Sequence, residues 1–264
     1  MPPKKQLGQH WLKDIPTLES ICDAANLSIQ DTVLEIGPGQ GDLTVQLLRR
    51  ASKVIAVELD EQLAKTLPQH ISNLCKARPC KGELEVVWAD ILKFDLTGLP
   101  VGYKIVANIP YYLTSNLIRV MSESPNPPAI MVLLVQKEVA ERIAAEPGQM
   151  SLLSVSAQLF YDAKLGPVVR ADMFDPPPRV DSQLIILSQR QQPLFTNLDT
   201  KAYFKLVKAG FSGRRKKLRS SLAAGLQIDK NQADKLLAKA SINGDLRAQN
   251  LSLQDWYSLY LASI

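Results

Sequence analysis

The run Asn108-Ile109-Pro110-Tyr111 places two hydrogen-bond acceptors beside a rigid turn and a flat ring. The Asn108 side-chain oxygen and the Ile109 main-chain oxygen can each accept an N–H from one exocyclic amine of a base. Gripping both N–H groups of an adenine N6 draws the nitrogen toward tetrahedral geometry and localises its lone pair. Pro110 fixes φ in the turn, and Tyr111 offers a face for stacking. Neutral acceptors suit an attack in which no proton leaves first, so most of the rate comes from positioning. A base inside a helix cannot reach such a pocket and has to be flipped out or already unstacked. Phe174, just ahead of Pro176-Pro177-Pro178, is the expected second aromatic wall.

Something must deliver an electrophile to that amine. Val33-Leu34-Glu35-Ile36 running into Gly37-Pro38-Gly39-Gln40-Gly41 reads as a buried strand and a glycine turn. Glycines let a backbone approach a ligand closely. A helix over 43–50 and a strand over 53–57 complete a βαβ unit that ends at Glu58-Leu59-Asp60. Glu58 lies about 20 residues past Gly37, the spacing at which a carboxylate meets a ribose. The turn departs from the dinucleotide pattern Gly-x-Gly-x-x-Gly, and Pro38 removes an N–H that a diphosphate cradle would use. That favours S-adenosylmethionine, which has no phosphate, over NAD. A third strand over 84–89 ends at Asp90-Ile91. Asp90 is placed to accept from the adenine amine of the cofactor and Ile91 to pack on its ring; an Asp here equally suits a helix N-cap. The two motifs together set a methyl donor against an amine, and trimming Phe174 or Tyr111 is expected to let monomethyl product accumulate.

The remaining pattern supplies a frame for these sites. Strands are expected at 32–36, 53–57, 84–89, 103–107 and 129–135, with an antiparallel pair at 164–169 and 183–188 closing the sheet. Helical spacing marks 16–26, 114–121, a segment starting at 136, and 150–161. Residues 1–190 are expected to form one α/β domain, with 1–14 as an N-terminal arm in which Trp11 and Leu12 fold down as a lid. Residues 191–264, with helical patterns at 199–211, 214–225, 229–239 and 252–261, are expected to form a small all-helical domain.

Charge is unevenly spread. Twelve of the 31 Lys and Arg, but only five of the 26 Asp and Glu, lie from Asp199 onward. That quarter carries an excess of seven positive charges and the rest an excess of two negative ones, which points to a polyanion docking at the C-terminal domain. Arg214, Arg215, Lys216, Lys217 and Arg219 form its densest stretch, a salt-sensitive foot for phosphate. Three cysteines at no metal spacing (Cys22, Cys75, Cys80) read as the reduced thiols of a cytosolic protein, and two histidines are too few for a His-based metal site. No signal peptide is visible, the longest apolar run is far short of a membrane span, and nothing demands an oligomer.

Several segments together resemble a known family. These are Lys5-Gln6-Leu7-Gly8-Gln9-His10-Trp11-Leu12, the run from Leu34 to Gly41, Val57-Glu58-Leu59-Asp60, Ala89-Asp90, and the run from Val106 to Tyr111. The runs 134–142, 174–182 and 208–219 add to them. In this order the chain resembles the bacterial KsgA/RsmA-type rRNA adenine dimethyltransferases, relatives of the Erm resistance methyltransferases. The resemblance implies a Rossmann-like methyltransferase domain, with a mostly parallel seven-stranded sheet and a C-terminal helical domain. It implies transfer of two methyls from S-adenosylmethionine to each of two adjacent adenosines near the 3′ end of small-subunit rRNA, in the cytoplasm. Carried over by position, the cofactor residues are His10, Leu12, Gly37, Glu58, Asp90 and Asn108. His10 stands where many members have Asn, Ile109 where Leu is commoner, and 146–152 looks short.

Three other readings differ in what they require. A ribosome-assembly factor would use the basic C-terminal domain mainly to bind RNA. An Erm-like enzyme would methylate large-subunit rRNA, against which the run 211–219 argues by resemblance. A nicotinamide dehydrogenase is disfavoured by the glycine turn.

Overall fold

The computed structural model describes residues 9–110, 113–213 and 215–264, with only the backbone of Ala77. Contact clustering divides the chain into two compact units, residues 1–140 with 161–189 and residues 141–160 with 190–264.

The first unit begins with β1 (Trp11–Leu12) and α1 (Ile15–Ala24), which Asp14 caps by accepting from Thr17 N at 3.0 Å. Then come β2 (Thr32–Ile36), α2 (Asp42–Leu48), β3 (Lys53–Glu58), α3 (Glu61–Ala77) and β4 (Glu83–Trp88). They are followed by β5 (Lys104–Asn108), α4 (Thr114–Glu123), β6 (Ile130–Gln136) and α5 (Lys137–Ile143), within which the chain passes into the second unit. After α6 (Leu152–Gln158) it returns as β7 (Tyr161–Val169), β8 (Phe174–Asp175) and β9 (Ser182–Gln189).

The main sheet has the order β4-β3-β2-β5-β6-β9-β7, parallel from β4 to β6 and antiparallel at both β9 pairings. Central strands such as Ile-Met-Val-Leu-Leu-Val in β6 are buried on both faces, as a parallel sheet covered by helices requires. Register aligns the strand ends: Ile36 pairs with Val57, Glu58 with Trp88, and Leu34 with Ile105. The residues after β2, β3, β4 and β5 therefore emerge along one edge. The seven strands match the expected set to within a residue or two at most ends. The exception is β7, which starts earlier; α3 is a helix that the sequence pattern did not reveal.

That helix is the longest in the chain, and it carries Pro68 in its interior. A proline there removes one backbone donor and interrupts the sequence signal. Tertiary packing overrides it, since Leu63, Ala64, Leu67 and Ile71 are all buried. The helix also corrects the cysteine reading. Past its end Arg78 is extended and the chain turns back, bringing Cys75 and Cys80 to a Cα separation of 5.5 Å, where they form a disulfide. Cys22 is free, and burial pushes its thiol up to about 12.

The second unit is all helical: α6, α7 (Thr200–Phe211), α8 (Leu218–Leu226), α9 (Lys230–Lys239) and α10 (Leu253–Ser263). Asp199, Asp229 and Ser252 cap three of these helices by accepting from backbone N–H groups at 2.8–3.1 Å. Tyr203, Val207, Leu222, Trp256 and Leu259 form its core together with Met150, Val155 and Leu159. Residues 141–160, which the sequence pattern assigned to the first domain, thus cluster with the second unit, because α6 packs its apolar side there. The helix expected from 214 starts only at Leu218, leaving Arg215, Lys216 and Lys217 ahead of it. Among the described residues no helix is long and apolar enough to cross a membrane.

Candidate active site

In the sheet the chain runs outward from β2 to β4 and then resumes on the other side with β5. Such a reversal leaves a crevice at the carboxyl ends of the two flanking strands. A cavity of about 240 Å³ opens there. Its lining comes from the turn after β2 (Gly37, Pro38, Gly39), the end of β3 (Glu58), the segment after β4 (Asp90, Ile91), the end of β5 (Asn108, Ile109, Pro110) and the arm (His10, Leu12). The two motifs read from the sequence are neighbours, since a Cβ added to Gly37 would sit 4.0 Å from Pro110 Cδ.

The glycine turn is held by backbone bonds: Gly37 N donates to Val57 O and Gly41 N to Pro38 O, both at 2.9 Å. Gly39 has φ +56°, and a Cβ there would lie 3.1 Å from Trp11 Nε1. Both the left-handed backbone and the lack of room call for glycine. Its N–H donates to Glu58 Oε2 at 3.2 Å, while Asp60 N donates to Glu58 Oε1 at 2.9 Å. Glu58 is therefore pre-aimed, with lone pairs left for further donors. Burial holds its carboxyl above the usual range, against the pull of these two N–H groups. Asp90 Oδ1 accepts from Leu92 N at 3.0 Å, so this residue caps a short 3₁₀ turn and also faces the cavity.

Sequence reasoning missed Glu35. It sits in the middle of β2, 1% exposed, and lines the cavity with Oε2 lacking a hydrogen-bond partner among the described residues. Burial pushes its carboxyl up to about 8, with the Glu58 and Asp42 charges adding to the rise. A lone charged residue inside the apolar run Val33-Leu34-Glu35-Ile36 was the available signal. Trp11, Gln40 and Asp42 also line the cavity and were not among the expected site residues.

At the β5 end, Asn108 Nδ2 donates to His10 O at 3.1 Å, and His10 Nδ1 lies 2.7 Å from Pro176 O. Leu113 N donates to Pro110 O at 3.0 Å, closing the turn after the motif. Across the described lining there are four carboxylic residues (Glu35, Asp42, Glu58, Asp90) and no Lys or Arg. A diphosphate would find no cation there, whereas a ligand with positively charged groups and ribose hydroxyls fits the donor set. Residues 2–263 match the ribosomal RNA adenine dimethylase family.

The chain belongs to that family. Among curated relatives it is 40% identical over 261 residues, 98% of this chain and 87% of the relative, to the Ribosomal RNA small subunit methyltransferase A of Dehalococcoides mccartyi. It is 38% identical to the protein of the same name from Ligilactobacillus salivarius, covering 97% of this chain and 88% of the relative. Among solved structures it is similar to a dimethyladenosine transferase from Plasmodium falciparum, with a TM-score of 0.78, 28% identity, and 95% and 96% of the two chains covered. It also resembles the 23S rRNA methyltransferase ErmE, with a TM-score of 0.73, 27% identity, and 96% and 98% covered. The fold is that of the Rossmann-like methyltransferases.

Within this dimethylase fold the cavity gathers His10, Leu12, Gly37, Gly39, Glu58, Asp90, Ile91, Asn108, Ile109 and Pro110. Phe174 is not among the lining residues, although its ladder partner Leu12 is. It is 4% exposed, pairs with Leu12 across the β1–β8 ladder and packs in the core with Leu18 and Val169. Strand pairing with the arm thus holds the expected aromatic wall in the core behind Leu12, and its part in gripping a base is a matter for product analysis. Tyr111 and Arg214 lie outside the described residues. In the second unit Lys217 Nζ lies 3.0 Å from Asp245 Oδ1, and Arg219 contacts the same oxygen at 2.6 Å and Asp234 at 3.6 Å. Arg215 and Lys216 are exposed and form no salt bridge among the described residues.

Proposed function

We propose that this chain is an S-adenosylmethionine-dependent rRNA adenine-N6 dimethyltransferase acting on two adjacent adenosines near the 3′ end of small-subunit rRNA. The observation that carries the reading is the level placement of Gly37, Glu58, Asp90 and Asn108 along one sheet edge at the strand-order reversal. The small-subunit methyltransferases to which the chain is similar supply the identity of the RNA. Its substrate is taken as an immature small subunit, met by a single copy of the chain in the cytoplasm.

Bound S-adenosylmethionine supplies a methyl group made electrophilic by its sulfonium. Glu58, already fixed by the Gly39 and Asp60 N–H groups, would accept hydrogen bonds from the ribose hydroxyls. Asp90, with one oxygen on Leu92 N, would use the other to accept from the adenine amine of the cofactor, and Ile91 would pack on that ring. Gly37 and Gly39 would let the backbone approach the cofactor closely, and His10 and Leu12 would cover it from the arm. On the acceptor side, Asn108 Oδ1 and the Ile109 carbonyl accept from the target N6, and Pro110 holds their geometry. Once methylated, the nitrogen is cationic and acidic enough to give its proton to solvent water, so no strong base is needed before attack. Arg215 and Lys216 offer phosphate contacts directly, whereas at Lys217 and Arg219 a phosphate competes with Asp245.

The test is methyl transfer to purified, unmethylated small and large subunits, with the products mapped by mass spectrometry. Dimethyladenosine at two adjacent small-subunit positions is the expected result. Product confined to large subunits would replace this reading with an Erm-like one, which the structural likeness to ErmE keeps in view.

A further inference from the structure

A carboxamide has a donor side and an acceptor side, and it works only one way round. At the end of β5 the Asn108 Nδ2 donates to the main-chain carbonyl of His10 at 3.1 Å. With its amide nitrogen committed there, Oδ1 turns to the other side, where no described residue hydrogen-bonds to it. The reversed amide would set two acceptor oxygens against each other and present N–H groups to an amine that needs acceptors. The His10 carbonyl thus selects the orientation in which Asn108 can receive an N–H.

That carbonyl is only as well placed as the arm that carries it. Strand β1 is two residues long, pairing Trp11 with Asp175 and Leu12 with Phe174. The next rung would join His10 to Pro176, but proline has no N–H to offer a ladder. The His10 imidazole makes up the rung, with Nδ1 2.7 Å from Pro176 O. A carbonyl oxygen only accepts, so Nδ1 carries the proton.

We propose that His10 is a positioning residue for methyl transfer, clamping the arm to Pro176 through its imidazole and setting the Asn108 carboxamide through its carbonyl. This rests on the reading of Asn108 as an acceptor for the target amine, and it gives His10 a task beyond contact with the cofactor. Asparagine carries its amide nitrogen at the same δ position as Nδ1, so His10→Asn keeps the donor. His10→Phe keeps the ring and loses it.

Three quantities decide the matter: S-adenosylmethionine affinity by calorimetry without RNA, and kcat and KM on unmethylated small subunits. In His10→Phe, kcat is expected to fall about tenfold or more, as slight misplacement of a reacting group does. Because His10 also covers the cofactor, cofactor affinity is expected to weaken a few-fold, whereas KM for the subunit stays within about twofold. The loss in kcat persists at saturating cofactor, and His10→Asn should recover most of the lost rate. A second readout is the Asn108 side-chain amide resonance, which should move upfield in His10→Phe and return in His10→Asn even if activity is confounded by stability. Unchanged kcat in His10→Phe, a loss carried wholly by cofactor affinity, or no recovery in His10→Asn would each overturn the inference. A wild-type chain that binds the cofactor yet transfers no methyl to either subunit would overturn the underlying reading as well.

Discussion

At the scale of single residues, the cavity separates groups by what their surroundings do to them. Asn108 is neutral and oriented, and its loss should stop chemistry more than binding. Asn108→Ala is expected to lower kcat about a hundredfold, the usual cost of one aimed hydrogen-bonding group, with cofactor affinity changed only a few-fold. Near-normal turnover would refute that role. Glu35 behaves differently, since burial raises its carboxyl to about 8. Between the ordinary carboxylate range and that value the unfolded chain gives up a proton that the folded chain keeps. Stability from this residue is complete at low pH, declines as the pH climbs toward 8 and is level above. Melting temperatures from pH 5 to 9 should show the decline, and Glu35→Gln should flatten it; parallel curves would contradict this. Gly37, Glu58, Asp90 and Asn108 were legible as cavity residues because each lies at or just past the end of a strand. Glu35 was not, because its importance comes from depth in the sheet, and the burial of Phe174 behind Leu12 was not, because its partner strand is distant in sequence.

Among the elements, strands announced themselves better than helices. Parallel strands buried on both faces are short apolar runs that admit few other interpretations, and their ends fixed the site edge. α3 was hidden by Pro68, and α8 starts late because its basic approach resembles a helix in composition alone. The β1–β8 ladder was foreseen only as a lid, without its partner strand. The structure makes Phe174 the rivet of that ladder. Phe174→Ala should therefore cost about 3 kcal/mol of stability, in the range for emptying a buried aromatic site. It should weaken cofactor binding by loosening the arm, and leave the ratio of mono- to dimethyl product unchanged. Denaturant unfolding and product analysis test the two halves, and accumulation of monomethyl product would make the ring a wall for the target base, as the sequence suggested.

For the whole molecule, the excess of seven positive charges from Asp199 onward belongs to the helical unit, while four carboxylic residues and no Lys or Arg line the cavity at the sheet edge. Removing Arg215 and Lys216 together should reduce the salt dependence of RNA binding by about one unit of slope for each. Lys217→Ala and Arg219→Ala should move it less, because Asp245 already pairs with both. Filter binding across a salt series measures this, and equal shifts at all four positions would count against it. The second unit is also discontinuous in sequence, since residues 141–160 supply Met150, Val155 and Leu159 to its core. No single cut can liberate it intact. A fragment beginning at 191 would leave an unfilled hollow where those three side chains belong and should collapse or aggregate. Splicing 141–160 directly onto 190–264 should give an autonomous helical piece with a sharp melting transition.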